Sequence, residues 1–343
     1  MKFDIARQPL VPAFLTLAAL AVVAMWNAGG TTADTAALAG HAAETVGTGR
    51  NAAGALAASS PGELLAQFQE AHPVWARWIA GLLMLFTGMS VGRLTVRYNL
   101  YSVGTCLAIP LYGAIACGLA VDGDYLTAFA ASALLALATK NFCRSYCNGF
   151  GFDAIFRASL YIGLLPLVAT AAAPLLVLLP LAVMLFRRTL REVTVAVAGL
   201  LLPVLTLCYV NWGAGGGFLA PVAELGSAFV AGMPLSLFLS TPVQSLVLLG
   251  AVFILDLMAL LFFLSDIHAL GTKPRLIFIF NISVLLLTAA VLCGPAATPG
   301  TVALAAVPSA VLLPFMFVRI HRAIALPLYL LLLAAAVIST VLQ

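Results

Sequence analysis

Asp256 interrupts the apolar run LLGAVFILDLMALLFFL. It lies about ten residues, or about 15 Å of helix, from the run's charged C-terminal flank. That depth is close to the middle of a hydrocarbon layer about 30 Å thick, where a charged group costs on the order of 3 kcal/mol. Such a group is paired, protonated or set against water. Its neighbours one turn away, Val252, Phe253, Leu260 and Phe263, are apolar, so a partner has to come from another segment. Asn281, at a matching depth in the next apolar run, and Arg157, near the start of an earlier one, are the candidates. A carboxyl in that place could carry a proton or bind a polar substrate. The structural alternative is a neutral Asp that hydrogen-bonds two helices together.

Elsewhere the sequence offers little chemistry. Asp34 and Glu44 are the acidic residues in the first part of the long polar segment 27–74. If the chain were a membrane glycosyltransferase using a polyprenyl-phosphate sugar, one of them would be the general base that takes the acceptor's proton. Neither has an acidic or metal-binding companion. Cys143 and Cys147 are one helical turn apart with no further ligand nearby, so reduced thiols and no metal are expected. The histidines (41, 72, 268 and 321) sit at the edges of apolar runs. The glycines of Gly213-Ala214-Gly215-Gly216-Gly217 lack the Lys and Ser/Thr of a phosphate-binding loop. No helical zinc-protease motif, nucleophile elbow or basic patch occurs. The expectation is therefore no cofactor, no metal, no nucleotide and no nucleic acid. Membrane lipids are the expected partners, with other membrane subunits a further possibility.

What must position these groups is an unusually apolar chain. Of 343 residues 63% are hydrophobic and 8% charged, with a mean hydropathy of +1.13. A soluble domain carries about 25% charged residues, so this composition excludes a soluble globule and a disordered chain. Apolar runs fall at 10–26, 75–92, 99–121, 125–140, 154–172, 174–186, 193–212, 242–264, 276–294, 301–318 and 323–342. Each is expected to be a helix, because an open strand edge in lipid leaves backbone groups unpaired. The fold class is thus all-α: a single integral-membrane domain over 1–343, a polytopic bundle of about 11 spans.

Orientation follows the basic residues. With the N-terminus inside, every Lys and Arg of the 16 except Arg50 and Arg77 falls on the inner side. Asp34, Glu44, Glu63, Glu70, Asp122, Asp124 and Glu224 fall outside, and Trp26, Trp75, Trp78 and Trp212 lie at the outer interface. The C-terminus is then outside and the expected location is a bacterial inner membrane. Within outer loop 27–74, Ser60-Pro61-Gly62-Glu63 has the spacing of a capping box and predicts an interfacial helix over about 61–72. Outer loop 213–241 holds an apolar stretch, Phe218–Met233, broken by Pro221, Gly226 and Gly232. It is expected to lie in or dip into the interface, since a further crossing would invert Lys273, Arg275, Arg319 and Arg322. Prolines lie within many runs, but no matched pair of interrupted spans in two halves is apparent.

The stretch from Phe156 to Trp212 resembles a family of Bacteroidota multi-pass inner-membrane proteins known as a domain of unknown function. A Phe-rich start, a small-residue span, an Arg-Glu elbow and a Gly…Pro span recur there in this order. Arg191-Glu192, Gly199 and Pro203 are the matching positions. The long small-residue outer loop departs from that pattern, and the resemblance implies architecture and location without a mechanism. Three functions remain open. The first is a transporter or flippase moving a small or lipid-linked substrate, favoured by many spans, prolines and Asp256. The second is a non-catalytic subunit or assembly factor of a membrane complex. The third is the glycosyltransferase, so that a catalytic role is the less favoured reading.

Overall fold

The computed structural model describes residues 7–27, 60–119, 124–147, 151–230 and 233–342. Among them every regular element is helical. In chain order these are α1 (Leu10–Asn27), α2 (Pro61–Ala71), α3 (Pro73–Arg97), α4 (Ala108–Leu119), α5 (Tyr125–Cys147) and α6 (Phe152–Val168). A 3-10 stretch, Thr170–Val177, leads into α7 (Leu178–Leu185), followed by α8 (Leu190–Gly213), α9 (Ala220–Val230) and α10 (Ser236–Ser240). Then come α11 (Val243–Asp266), α12 (Thr272–Leu292), a second 3-10 stretch Pro299–Ala305 leading into α13 (Ala306–Arg319), and α14 (Arg322–Val341).

Seven stretches are long and apolar enough to cross a membrane: α3, α5, α8, α11, α12, the joined Pro299–Arg319 and α14. The other expected spans fall on shorter helical stretches: Leu10–Trp26, Ala108–Leu119, Phe152–Val168 and Thr170–Leu185. The run at 99–121 illustrates why hydropathy overestimates helix length. Asn99 takes a left-handed φ of 45° that ends α3, and the chain from Tyr98 to Leu107 is non-helical. The Cys106 amide bonds the Gln8 carbonyl instead of a helical partner, and the Thr105 hydroxyl accepts the Leu107 N–H just ahead of α4.

The short α4 is the hub. All of its residues are buried, and α1, α3, α11, α13 and α14 pack around it. Small residues permit these approaches: a Cβ on Gly92 would run into Ile109, and one on Gly118 into Leu248. A second group, α5–α6–α8, is joined edge to edge. Gly163 of α6 lies against the Leu200 carbonyl, and Gly199 of α8 lies against the Phe156 carbonyl, so the α6–α8 pair is in backbone contact from both sides.

The loops sort into two ends. Arg93, Arg97, Lys140 and Arg144 lie within electrostatic range of one another, and Lys273 and Arg97 both act on Cys147. Arg188 approaches Tyr146, and Arg319 pairs with Asp266 at 2.5 Å. We call this the basic end. The opposite, far end holds α2 and the starts of both 3-10 stretches.

Candidate functional site

Asp256 on α11 is buried, 1% exposed, with its neighbours packed against α13. Its Oδ2 accepts a hydrogen bond from the Ser309 hydroxyl of α13 at 2.5 Å. Its Oδ1 has no hydrogen-bond partner among the described residues. Asn281 of α12 is also fully buried, but its amide donates to the Ile277 carbonyl of its own helix at 2.9 Å, and its Oδ1 is likewise unpartnered. Arg157 lies elsewhere: it is half exposed and pairs with Asp153 one turn back at 2.9 Å. The residue that meets Asp256 is therefore Ser309, which the sequence reading did not single out. Asn281 and Arg157 take partners on their own helices. Asp34 and Glu44 lie outside the described residues. An open carboxyl oxygen in an apolar interior is an acceptor that a proton, a cation or a substrate donor would satisfy.

Ser309 belongs to a discontinuous span. Pro299 and Gly300 open it as 3-10 helix, and it becomes α-helical at Ala306, with Pro308 and Pro314 inside. A proline removes one backbone donor and disturbs the carbonyl a turn before it. The Tyr101 hydroxyl reaches into this region and donates to the Val311 carbonyl at 2.7 Å. The stretch Thr170–Leu185 is built the same way, with Pro174 in its 3-10 part and an α-helical second half. Both pack against α12. Neither 3-10 start shows in the sequence's hydropathy, which registers apolarity alone. Both run from the far end toward the basic end, so they are parallel and do not form an inverted pair.

The starts of both interrupted spans share a cavity of about 300 Å³ at the far end. Glu63 from α2, Asp124 and Thr127 from the head of α5, Thr170, and Thr298 and Thr301 line it. The capping box predicted at Ser60 forms: Glu63 N–H donates to Ser60 Oγ, and Ser60 N–H to a Glu63 carboxylate oxygen. The helix is docked firmly. Gly62 lies against the Val168 carbonyl so closely that no Cβ would fit, and Gln69 Oε1 accepts the Leu126 N–H at 3.0 Å. On the other side of its first turn, Pro61 and Leu64 close an apolar slot of about 350 Å³ between α6 and α8, whose wall includes Leu164, Leu167, Pro203 and Leu207.

At the basic end, the Arg191-Glu192 elbow is held through Glu192. Glu192 is buried and pairs with Arg188 at 3.1 Å. It also caps α8 with Thr189, while Arg188 donates to Ser145 of α5 at 2.7 Å. This ties the α7–α8 turn to α5. All six cysteines are free, and no group of three metal-ligating side chains occurs among the described residues.

Among the described residues these observations define an apolar, all-helical protein with seven helices long and apolar enough to cross a membrane, a buried acid bonded to a discontinuous helical stretch, and a small cavity at one end. No family model, curated protein or solved structure matches the chain.

Proposed function

We infer that the chain is a multi-pass membrane protein of the transporter or flippase type, moving a small or lipid-linked substrate. The observation that carries this reading is the Asp256–Ser309 contact, a buried acid bonded to a discontinuous span. In transporters, substrate and coupling-ion sites form where broken helices leave backbone and side-chain groups without helical partners. Two such stretches beside one helix, α12, support the same reading.

In this reading the chain crosses about 11 times, with the shorter stretches completing the set. The N-terminus and the basic end face the cytoplasm of a bacterium and the C-terminus faces outward. The α9 helix, about 16 Å long at 1.5 Å per residue, lies along the outer interface. Kinship with the Bacteroidota inner-membrane family belongs to the same proposal. A reporter fused after Gln343 should be found outside and one inserted at 268–274 inside; the reverse result for the second sinks this topology.

Activity is tested in proteoliposomes carrying lipids with a fluorophore on one acyl chain, quenched from outside by a membrane-impermeant reductant. Translocation of at least one headgroup class should exceed that in protein-free vesicles and should fall in Asp256→Asn with the protein still folded. Equal rates with and without protein for glycosylated, zwitterionic and anionic lipids, and for water-soluble sugars and amino acids, refute it.

A second reading has one specific observation behind it. Glu63 and Asp124 line one cavity at the end where the positive-inside reading puts the outer surface, the side on which a glycosyltransferase using a polyprenyl-phosphate sugar would meet its donor. Hydrolysis or transfer of a sugar from a polyprenyl-phosphate donor by the purified protein would favour it over transport.

A further inference from the structure

Helices α3 and α5 pack side by side, and both finish at the basic end. Their last turns carry two basic pairs at i,i+4 spacing, Arg93 with Arg97 and Lys140 with Arg144. Lys140 is half-buried and within electrostatic range of all three arginines. Like charges so placed repel one another. The acids described at that end are taken by other arginines: Asp153 by Arg157, Glu192 by Arg188 and Asp266 by Arg319. Among the described residues none of the four cations makes a hydrogen bond or an ion pair. Nor does α3 need its arginines as caps, because the amides of Tyr98, Asn99 and Leu100 take the carbonyls of Leu94, Val96 and Thr95. Within the described chain, what this cluster lacks is an anion.

The same seam continues toward mid-depth as a track for hydrocarbon. On α3 the outward face runs from Arg93 back through Met89, Phe86 and Leu82, at spacings of three and four residues, with Phe86 51% and Leu82 63% exposed. On α5 the partly exposed face runs from Arg144 and Lys140 back through Leu137 and Leu134. Because Arg93 and Lys140 approach each other, the two faces flank one seam, cationic at the basic end and apolar deeper in. A phospholipid of the leaflet at that end has the same polarity, with phosphate at the surface and acyl chains along the helices. The guanidinium forks match phosphate oxygens. A zwitterionic head brings its own cation into the cluster, and a soluble anion makes no use of the track. An anionic lipid satisfies both parts.

We propose that the α3–α5 seam binds an anionic phospholipid, its phosphate among Arg93, Arg97, Lys140 and Arg144 and one acyl chain against Phe86 and Leu137. The proposal concerns equilibrium binding and stands apart from what the chain moves or makes. In the topology argued above, the lipid belongs to the cytoplasmic leaflet.

The test uses the full-length protein with dioleoyl phosphatidylglycerol and, as the zwitterionic lipid of identical chains, dioleoyl phosphatidylethanolamine, titrated by native mass spectrometry. The phosphatidylglycerol should bind about tenfold more tightly, as expected where several cations read one net charge, and the preference should shrink as salt is raised. Arg93→Gln combined with Lys140→Gln should bring the two affinities within about twofold, with the lipid-free protein as stable as before or more so, since two repelling charges are gone. Arg97→Gln with Arg144→Gln replaces that pair if it folds poorly. Arg191→Gln with Arg275→Gln removes the same charge from the same end outside the seam and should keep the preference. Equal loss in the seam variant and this control would mean that general charge attracts the lipid, and the proposal fails. It fails too if both lipids bind alike, or if soluble glycerophosphoglycerol binds as tightly as the lipid, since the track then plays no part. Asp4 lies outside the described residues; a preference that emerges only in Asp4→Asn would mean that the chain supplies its own counter-charge, and overturns the proposal.

Discussion

Thr170–Leu185 and Pro299–Arg319 begin alike, as 3-10 helix at the same cavity, and both lean on α12. They differ in what surrounds them. Thr170–Leu185 lies at the rim, with Val177 and Met184 47% and 76% exposed. In Pro299–Arg319 every residue from Thr301 to Phe317 is buried. The rim stretch carries only one polar side chain, Thr170 at its start, whereas the enclosed one carries Ser309 and holds Asp256. The contrast follows from the solvent: lipid can satisfy no polar group, so side-chain polarity at mid-depth is tolerated where protein surrounds it. Irregular backbone alone does not mark a site. Irregular backbone enclosed by other helices and facing a buried acid does.

The sharpest way to break this comparison is to enlarge a residue in each stretch. Ala310 is fully buried, so Ala310→Phe should cost about 3 kcal/mol or more, enough to lose most of the folded protein. Val177→Phe at the rim should change stability by no more than about 0.5 kcal/mol. The yield and melting temperature of detergent-purified protein measure both. Equal effects would mean that the two spans are equally enclosed.

A smaller effect is expected from the polar contact itself. Ser309→Ala leaves both oxygens of Asp256 without a partner and should destabilise by about 1–3 kcal/mol. Asp256→Asn keeps an acceptor for the Ser309 hydroxyl and should cost less. Replacing both, Asp256→Leu with Ser309→Ala, should restore part of the loss while abolishing activity, since an apolar pair needs no hydrogen bond. A double-mutant cycle on thermal stability checks this, and purely additive losses would remove the bond from the account.

The sequence made some of this legible and hid the rest for identifiable reasons. Ser60-Pro61-Gly62-Glu63 announced the start of α2, because a capping box is a local pattern whose partners are three residues apart. Asp256 was conspicuous because a charge amid apolar residues needs no structure to be noticed. Its partner was not: Ser309 is a small residue in an apolar run, and only the packing of α13 on α11 brings it within reach. The breaks at Thr170 and Pro299 were hidden similarly, since a 3-10 start and an α-helix have the same hydropathy. Glu63 and Asp124 were visible as outer acidic residues, but their shared cavity joins segments of chain more than fifty residues apart. In the elbow, the pairing of Glu192 with Arg188 was hidden because Arg188 lies before the N-cap Thr189, and its place beside Glu192 depends on how the chain turns into α8.

The smallest global effect, and the finest probe of the two spans, comes from Gly62. A Cβ there would enter the space of the Val168 carbonyl, a backbone atom that cannot rotate away. Alanine's better helix propensity, at most about 1 kcal/mol in a helix interior, does not offset a clash with backbone, so the first turn of α2 should undock and the fall in melting temperature is limited to the contacts that turn makes. Relief of the clash has a direction. Gln69 fixes the far part of α2 to α5, so the first turn of α2 should lift from the end of α6. Thr170 follows Val168 within two residues, whereas Pro299 reaches α2 only across the cavity. Hydrogen exchange in Gly62→Ala should therefore rise over 61–66 and 168–174 and stay unchanged over 299–305, while the exposed control Gln67→Ala alters none of these. A rise over 299–305 equal to that over 168–174 would show that α2 holds both interrupted spans as one unit, and the separation of rim from core at this end of the molecule would fall.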